Sequence, residues 1–220
     1  GLNAYIASGI RCCHESTRPE DVLAKMRLGM YAQIRYGSAW QDLPALAPAI
    51  TEHEIDTRFA TLISDDTHPH TLVAFGHLDH ILRTAVSYGI DPIQAIQMVT
   101  INTAQCFQMD HELGSIAPGK CADLVFLEDL ERFKVTRTII DGEIAAENGE
   151  AAFDLEPFEF PAWVTHSMHV GCEITPASFA INAPEDAEGT ARIRAIEIIG
   201  GKVGTVESHV DLPIVDGKLE

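Results

Sequence analysis

The sequence is short of positive charge and of cysteine, and it has no long apolar run. Against 33 acids stand 15 lysines and arginines, a formal net charge of −18. Such an excess repels polyanions, which argues against nucleic acid or an anionic membrane surface as a partner. A small neutral substrate, or a cation held by carboxylates, suits it better. No apolar stretch approaches the roughly 20 residues of a membrane span, and no basic segment leads into an apolar one as in an export signal. The five cysteines (12, 13, 106, 121 and 172) have no C-x-x-C spacing. That is the pattern of reduced thiols rather than of a disulfide framework. A cytoplasmic protein is the expectation.

Several catalytic signatures are missing too. Neither G-x-G-x-x-G nor G-x-x-x-x-G-K-[ST] occurs, which removes dinucleotide and P-loop readings. There is no G-x-S-x-G nucleophile elbow, and no H-x-E paired with P-C-x-x-C as in the small zinc deaminases.

What is present is an ordinary globular composition, 46% hydrophobic over 220 residues. The periodicity alternates between strand and helix. Leu2, Tyr5 and Ile6 share a helical face closed by Gly9, and Ile10 to Cys13 reads as a strand. Thr17-Arg18-Pro19-Glu20 reads as a capping box opening a helix with Val22, Leu23 and Met26 inward, Lys25 and Arg27 outward, and Gly29 at its end. Tyr31 to Tyr36 is the next strand, Leu43 to Ile50 a short helix or turn, and Asp56 to Ile63 leads into a third strand. Helices are expected over Leu72 to Tyr88 and, capped by Asp91-Pro92, over Ile93 to Phe107. This is the rhythm of parallel βαβ units. Beyond Asp110 the texture turns to β: a strand at Ala122 to Leu127, then a hairpin of Val135 to Ile140 and Glu143 to Ala146 around Asp141-Gly142. Past an acidic linker ending near Pro161, Ile193 to Ile199 and Lys202 to His209 read as further strands.

Two strands end abruptly in chemistry-bearing side chains. Ile10 to Cys13 delivers His14, Glu15 and Ser16; the third strand delivers Ser64, Asp65 and Asp66. In a (β/α) barrel the residues past the C-terminal strand ends share one mouth. His, Glu and Asp are donors for a divalent cation. Arg35 and Ser38, past the middle strand, are candidates for the same mouth. His68 and His70 flank a proline in the following loop, and His77 and His80 are expected one helical turn apart. Each His, and each Asp, has an ordinary alternative as a packed, solvated or helix-capping residue.

Leu2-Asn3-Ala4-Tyr5-Ile6, Cys13-His14-Glu15-Ser16, Arg35-Tyr36-Gly37-Ser38-Ala39, Leu43 to Pro48 and Ser64-Asp65-Asp66 together resemble the bacterial adenine deaminase family of the amidohydrolase superfamily. Gly114 to Leu124 resembles the segment where amidohydrolases re-enter a small β-sandwich. The resemblance implies an α/β fold: about strands six to eight of a distorted TIM (β/α)8 barrel, a small β-sandwich module and the start of a further C-terminal domain. The corresponding boundaries are 1–112, 113–149 and 150–220. It further implies hydrolysis of adenine to hypoxanthine and ammonia by hydroxide that a divalent metal activates, the centre being binuclear Mn/Fe or Zn. By the same resemblance His14 and Asp65 are metal ligands, Asp65 and Glu15 catalytic, and Asp66, Ser38 and Arg35 substrate-binding.

The resemblance is incomplete. The family's His-x-His after the first strand, its mid-barrel acidic ligand and its His after the fifth strand are absent from this sequence. The expectation is therefore a piece of a longer enzyme, inactive alone, whose partners are adenine, upstream strands one to five, a downstream domain and further copies of itself. Two alternatives stay open: another cyclic-amide or amidine hydrolase of the superfamily, such as a dihydroorotase-like enzyme, and a non-catalytic assembly domain.

Overall fold

The computed structural model describes residues 1–53, 55–154, 156–185 and 187–219. They divide into two compact units, Gly1–Asp154 with Gly200–Val203, and Leu155–Ile199 with Gly204–Glu220.

The first unit opens with α1 (Leu2–Ala7), β1 (Cys12–Cys13), α2 (Pro19–Arg27) and β2 (Tyr31–Arg35). It continues through α3 (Leu43–Leu46), α4 (Pro48–Thr51), β3 (Ala60–Ile63), α5 (Pro69–Phe75), α6 (Leu78–Ser87), α7 (Pro92–Val99) and α8 (Ile101–Cys106). The strands form a parallel sheet in the order β1-β2-β3, with Cys12 opposite Tyr31 and Ala32 opposite Ala60. All five residues of β2 are buried, as befits a parallel strand covered on both faces. Val22 and Met26 of α2, Leu43, Leu46, Ile81 and Met98 pack with Ile34 and Leu62 of the sheet into one core. Asn102 of α8 reaches under β3, where its Nδ2 donates to the carbonyls of Thr57 (2.9 Å) and Ala60 (3.0 Å).

Several expectations are corrected here. The helix α2 starts at Pro19 with Arg18 as N-cap and no side-chain cap. Proline presets the first helical φ, which leaves Thr17 outside the helix and Glu20 one position too early for a capping box. Lys25 does not face solvent; it is buried, and its Nζ donates to Ser16 Oγ (2.7 Å) and contacts Cys13 Sγ (3.2 Å). The long helix expected from Leu72 is two helices parted at Gly76, whose φ of +101° suits glycine. His77 is consequently the N-cap of α6, its carbonyl accepting from the Ile81 N–H, with His80 three residues on in the first turn. A second break at Thr100 separates α7 from α8. The first strand shortens to two residues. Asp91, by contrast, caps α7 as read, its carboxylate accepting from the N–H groups of Ile93 and Gln94.

The same unit carries an antiparallel sheet of β4 (Leu124–Leu127), β5 (Val135–Ile140), β6 (Glu143–Glu147) and β7 (Glu150–Ala151) in sequential order. Asp141 and Gly142 both take positive φ, 51° and 83°, the two-residue turn that an Asp-Gly pair favours. The second unit holds α9 (Ala162–Thr165), β8 (Ile181–Asn182), β9 (Thr190–Ile198), β10 (Thr205–Val215) and β11 (Lys218–Leu219). Its strands form an antiparallel sheet ordered β8-β11-β10-β9. Among the described residues no helix is long and apolar enough to cross a membrane.

Candidate functional site

Because β1, β2 and β3 run parallel and side by side, their C-terminal ends emerge together. His14 and Glu15 follow β1, Arg35 ends β2, and Ser64, Asp65 and Asp66 follow β3. The centre of the cluster is Arg35, whose side chain is wholly buried. Its Nε donates to Asp42 Oδ2 at 2.7 Å, and its Nη1 donates to Asp65 Oδ2 at 3.0 Å and to Glu15 Oε1 at 3.3 Å. Its Nη2 lies 3.2 Å from Glu15 Oε2, without hydrogen-bonding alignment. Over one face of the guanidinium lies the Trp40 ring, 5.3 Å from Cζ to the ring centroid. Burial alone would lower the Arg35 pKa, but hydrogen bonds to Asp42, Asp65 and Glu15 together raise it above its ordinary value. The cation is permanent. His14 adds an imidazole, its Nε2 3.2 Å from Glu15 Oε1.

Asp65 sits in the left-handed region, φ +63°, a conformation that short polar side chains tolerate better than others. Next to it, Asp66 turns the other way. Its carboxylate accepts from the backbone N–H of Ala39 (2.6 Å) and of Trp40 (3.4 Å), and a Cβ on Gly37 would lie 1.9 Å from its Oδ1. Ser38 is likewise engaged, its hydroxyl donating to Thr71 Oγ1 and accepting from the His68 N–H. Both residues therefore fasten the loop after β2 to the loop after β3. His68 is the N-cap of α5 and His70 lies in its first turn. His77 Nε2 pairs with Ser64 Oγ at 3.0 Å, and His80 lies between Tyr36 and Phe75.

Two participants were not visible in the sequence. Asp42, 2% exposed, is the closest partner of Arg35. The only hint was an acid just ahead of the Leu43-Pro44 helix start, which reads as a cap. Lys25, bonded to Ser16, ties the segment carrying His14 and Glu15 to α2. Among the described residues no group of three or more His, Cys, Asp or Glu side chains is arranged to hold a metal ion. His14 and Asp65 nevertheless supply nitrogen and oxygen donors of the type divalent transition metals take.

Residues 37–145 match the Amidohydrolase family. Along its whole length the chain is 60% identical, over 220 residues, to an adenine deaminase of Clostridium botulinum (strain ATCC 19397 / Type A), and it covers 36% of that protein. It is 48% identical over 219 residues to an adenine deaminase of Moorella thermoacetica, covering 37% of it. The chain thus spans little more than a third of the curated relatives it matches. A solved structure, the β-aspartyl dipeptidase of Fervidobacterium islandicum AW-1, superposes with a TM-score of 0.50 at 17% identity, over 67% of this chain and 42% of that one. At that identity the likeness concerns the fold alone.

Proposed function

We infer that this chain, whose residues 37–145 match the Amidohydrolase family, is part of a longer enzyme that hydrolyses adenine to hypoxanthine and ammonia. The carrying observation is the similarity to adenine deaminases along the whole of this chain, 60% identical to one of them. A His–Glu–Arg–Asp cluster where three parallel strands end supports the same reading. We read β1 to β3 as strands six to eight of a TIM barrel, and β4 to β7 as part of a small β-sandwich beside it.

A divalent metal, binuclear Mn/Fe or Zn, fits the donors present in part. His14 and Asp65 would hold it, with further ligands from the portion of the enzyme that this chain does not span, since a catalytic site takes about three protein ligands. When bound, the metal lowers the pKa of water so that hydroxide is available near neutral pH for attack at C6 of adenine. Asp65 takes the water proton and passes it towards the departing amine, which leaves as ammonia. Glu15 orients the purine and relays a proton to its ring. Asp66, Ser38 and Arg35 serve the purine side of the site, Asp66 and Ser38 from the two strand-end loops that they also fasten together.

The complete enzyme, loaded in turn with Mn, Fe and Zn, should release ammonia from adenine and leave dihydroorotate untouched. Turnover of a cyclic amide without turnover of adenine would move the assignment elsewhere in the superfamily. A protein with no stoichiometric metal and no turnover would make this a scaffold domain.

A further inference from the structure

The carboxylates at the strand ends differ in exposure, and the difference separates their tasks. Asp42 is 2% exposed, whereas the side chains of Asp65 and Glu15 are 28% and 53% exposed. All three meet the one buried guanidinium. Three formal negative charges face one positive, and Glu15 and Asp65, which share Nη1 while Nη2 lies a further 3.2 Å from Glu15, repel one another. Their separation is set by where Nη1 points. Nothing in the arginine itself fixes this, because the guanidinium can rotate about its own side-chain bonds.

We propose that Asp42 is the positioning residue of this site. It grips Nε and so orients the opposite edge of Arg35, where Asp65 and Glu15 are held. Asp42 can do so because it is itself anchored: it is the N-cap of α3, its carbonyl accepts from Leu46 N–H at 3.0 Å, and Leu43 and Leu46 are fully buried. Trp40 restrains the plane of the guanidinium from one face. A planar, forked, permanently charged group is required, which an ammonium cannot replace. The proposal rests on the deaminase reading for its catalytic consequence, but not for its geometric one.

The test uses the complete metal-loaded enzyme and the variants Asp42→Asn, Asp42→Glu, Arg35→Met and the combination of Asp42→Asn with Arg35→Met. Partners that orient metal ligands typically contribute roughly 10–100-fold to activity or metal affinity. Asp42→Asn should therefore lower kcat per metal-loaded site by about that factor, with KM for adenine changed by no more than about threefold. In the Arg35→Met background the same substitution should have almost no further effect. A purely structural Asp42 would reduce the folded fraction and leave kcat per loaded site at the wild-type value, and that result overturns the proposal. So does an equal penalty in both backgrounds. Should Asp42→Asn fail to fold, Asp42→Glu keeps the charge but displaces the guanidinium, and wild-type kcat there would equally overturn it. If the wild-type enzyme does not act on adenine, the deaminase reading falls separately. The Mn²⁺ dissociation constant measured by calorimetry then decides: roughly tenfold weakening in Asp42→Asn upholds the positioning role, and an unchanged constant removes it.

Discussion

Lys25 and Ser16 meet inside the protein through a 2.7 Å hydrogen bond, the ammonium donating to the hydroxyl. Ser16 is 1% exposed and Lys25 9%. The bond joins the last turn of α2 to the segment that presents His14 and Glu15.

Lys25→Met keeps most of the side-chain volume and leaves the Ser16 hydroxyl without this donor. A buried polar group so stranded costs about 1–3 kcal/mol. The complete protein should lose stability by that amount in a denaturant titration. Ser16→Ala added to Lys25→Met should recover much of it. Independent, additive losses would mean the two groups do not work as a pair.

Asp65→Asn is the cleanest probe of the proposed proton shuttle. Asparagine accepts the left-handed backbone at φ +63° as readily as aspartate, so the change isolates the charge. Metal content should remain near wild type while kcat for adenine falls roughly 10²–10⁴-fold, the usual contribution of general acid–base catalysis. Elemental analysis beside steady-state kinetics reads both. A variant with wild-type kcat would reduce Asp65 to a loop residue.

At Asn102, one amide donates to two buried carbonyls, those of Thr57 and Ala60. Asn102→Leu strands both acceptors and should destabilise by about 1–3 kcal/mol. Asn102→Asp should be worse, since an ionised carboxylate would face two oxygens. Unfolding curves of the two variants give the order; an aspartate variant as stable as wild type would contradict it.

The turn at Asp141-Gly142 and the cap at Asp91 were legible because their information is local: two or three residues determine the geometry. The strand ends were legible for a similar reason, each being an apolar run followed at once by polar ligands. Lys25 was misread because the helical pattern alone gives a long cation to solvent. Its burial depends on Ser16 and Cys13, which only the packing of α2 against β1 brings near. Asp42 was hidden for the same cause, since its partner lies across a loop and its sequence context suggests a cap. Gly76 and Thr100 broke helices whose apolar period runs on through both positions. Asp66 and Ser38 share a strand-end address with Asp65 and Arg35, and only side-chain direction tells them apart.

Acid should weaken the region around α6 in two stages. Burial, with Arg83 nearby, holds the His80 pKa below its usual 6.5. The unfolded chain then binds the proton more readily than the folded one, so stability falls as pH drops below about 6.5 and through the folded value. Asp79 is depressed despite partial burial, because Arg83 and the His77 N–H bond its carboxylate. Its contribution is present above about 3.8 and disappears as pH falls through the depressed value. His80→Phe should remove the first stage and Asp79→Asn the second in melts recorded from pH 7.5 to 3. Unchanged pH profiles would rule out these two groups as the source.

The two kinds of sheet set different clocks for the chain. The hairpin of β5 and β6 pairs Ile140 with Glu143 across a two-residue turn, a contact that closes within about 1–10 μs. The parallel sheet has no such shortcut. Cys12 must find Tyr31 and Ala32 must find Ala60, each across an intervening helix or loop, and such non-local pairings form late. The site is assembled from the ends of those late strands. Until they register, Arg35 is an uncovered cation beside scattered acids, so the geometry around it is complete only once the three parallel strands have paired.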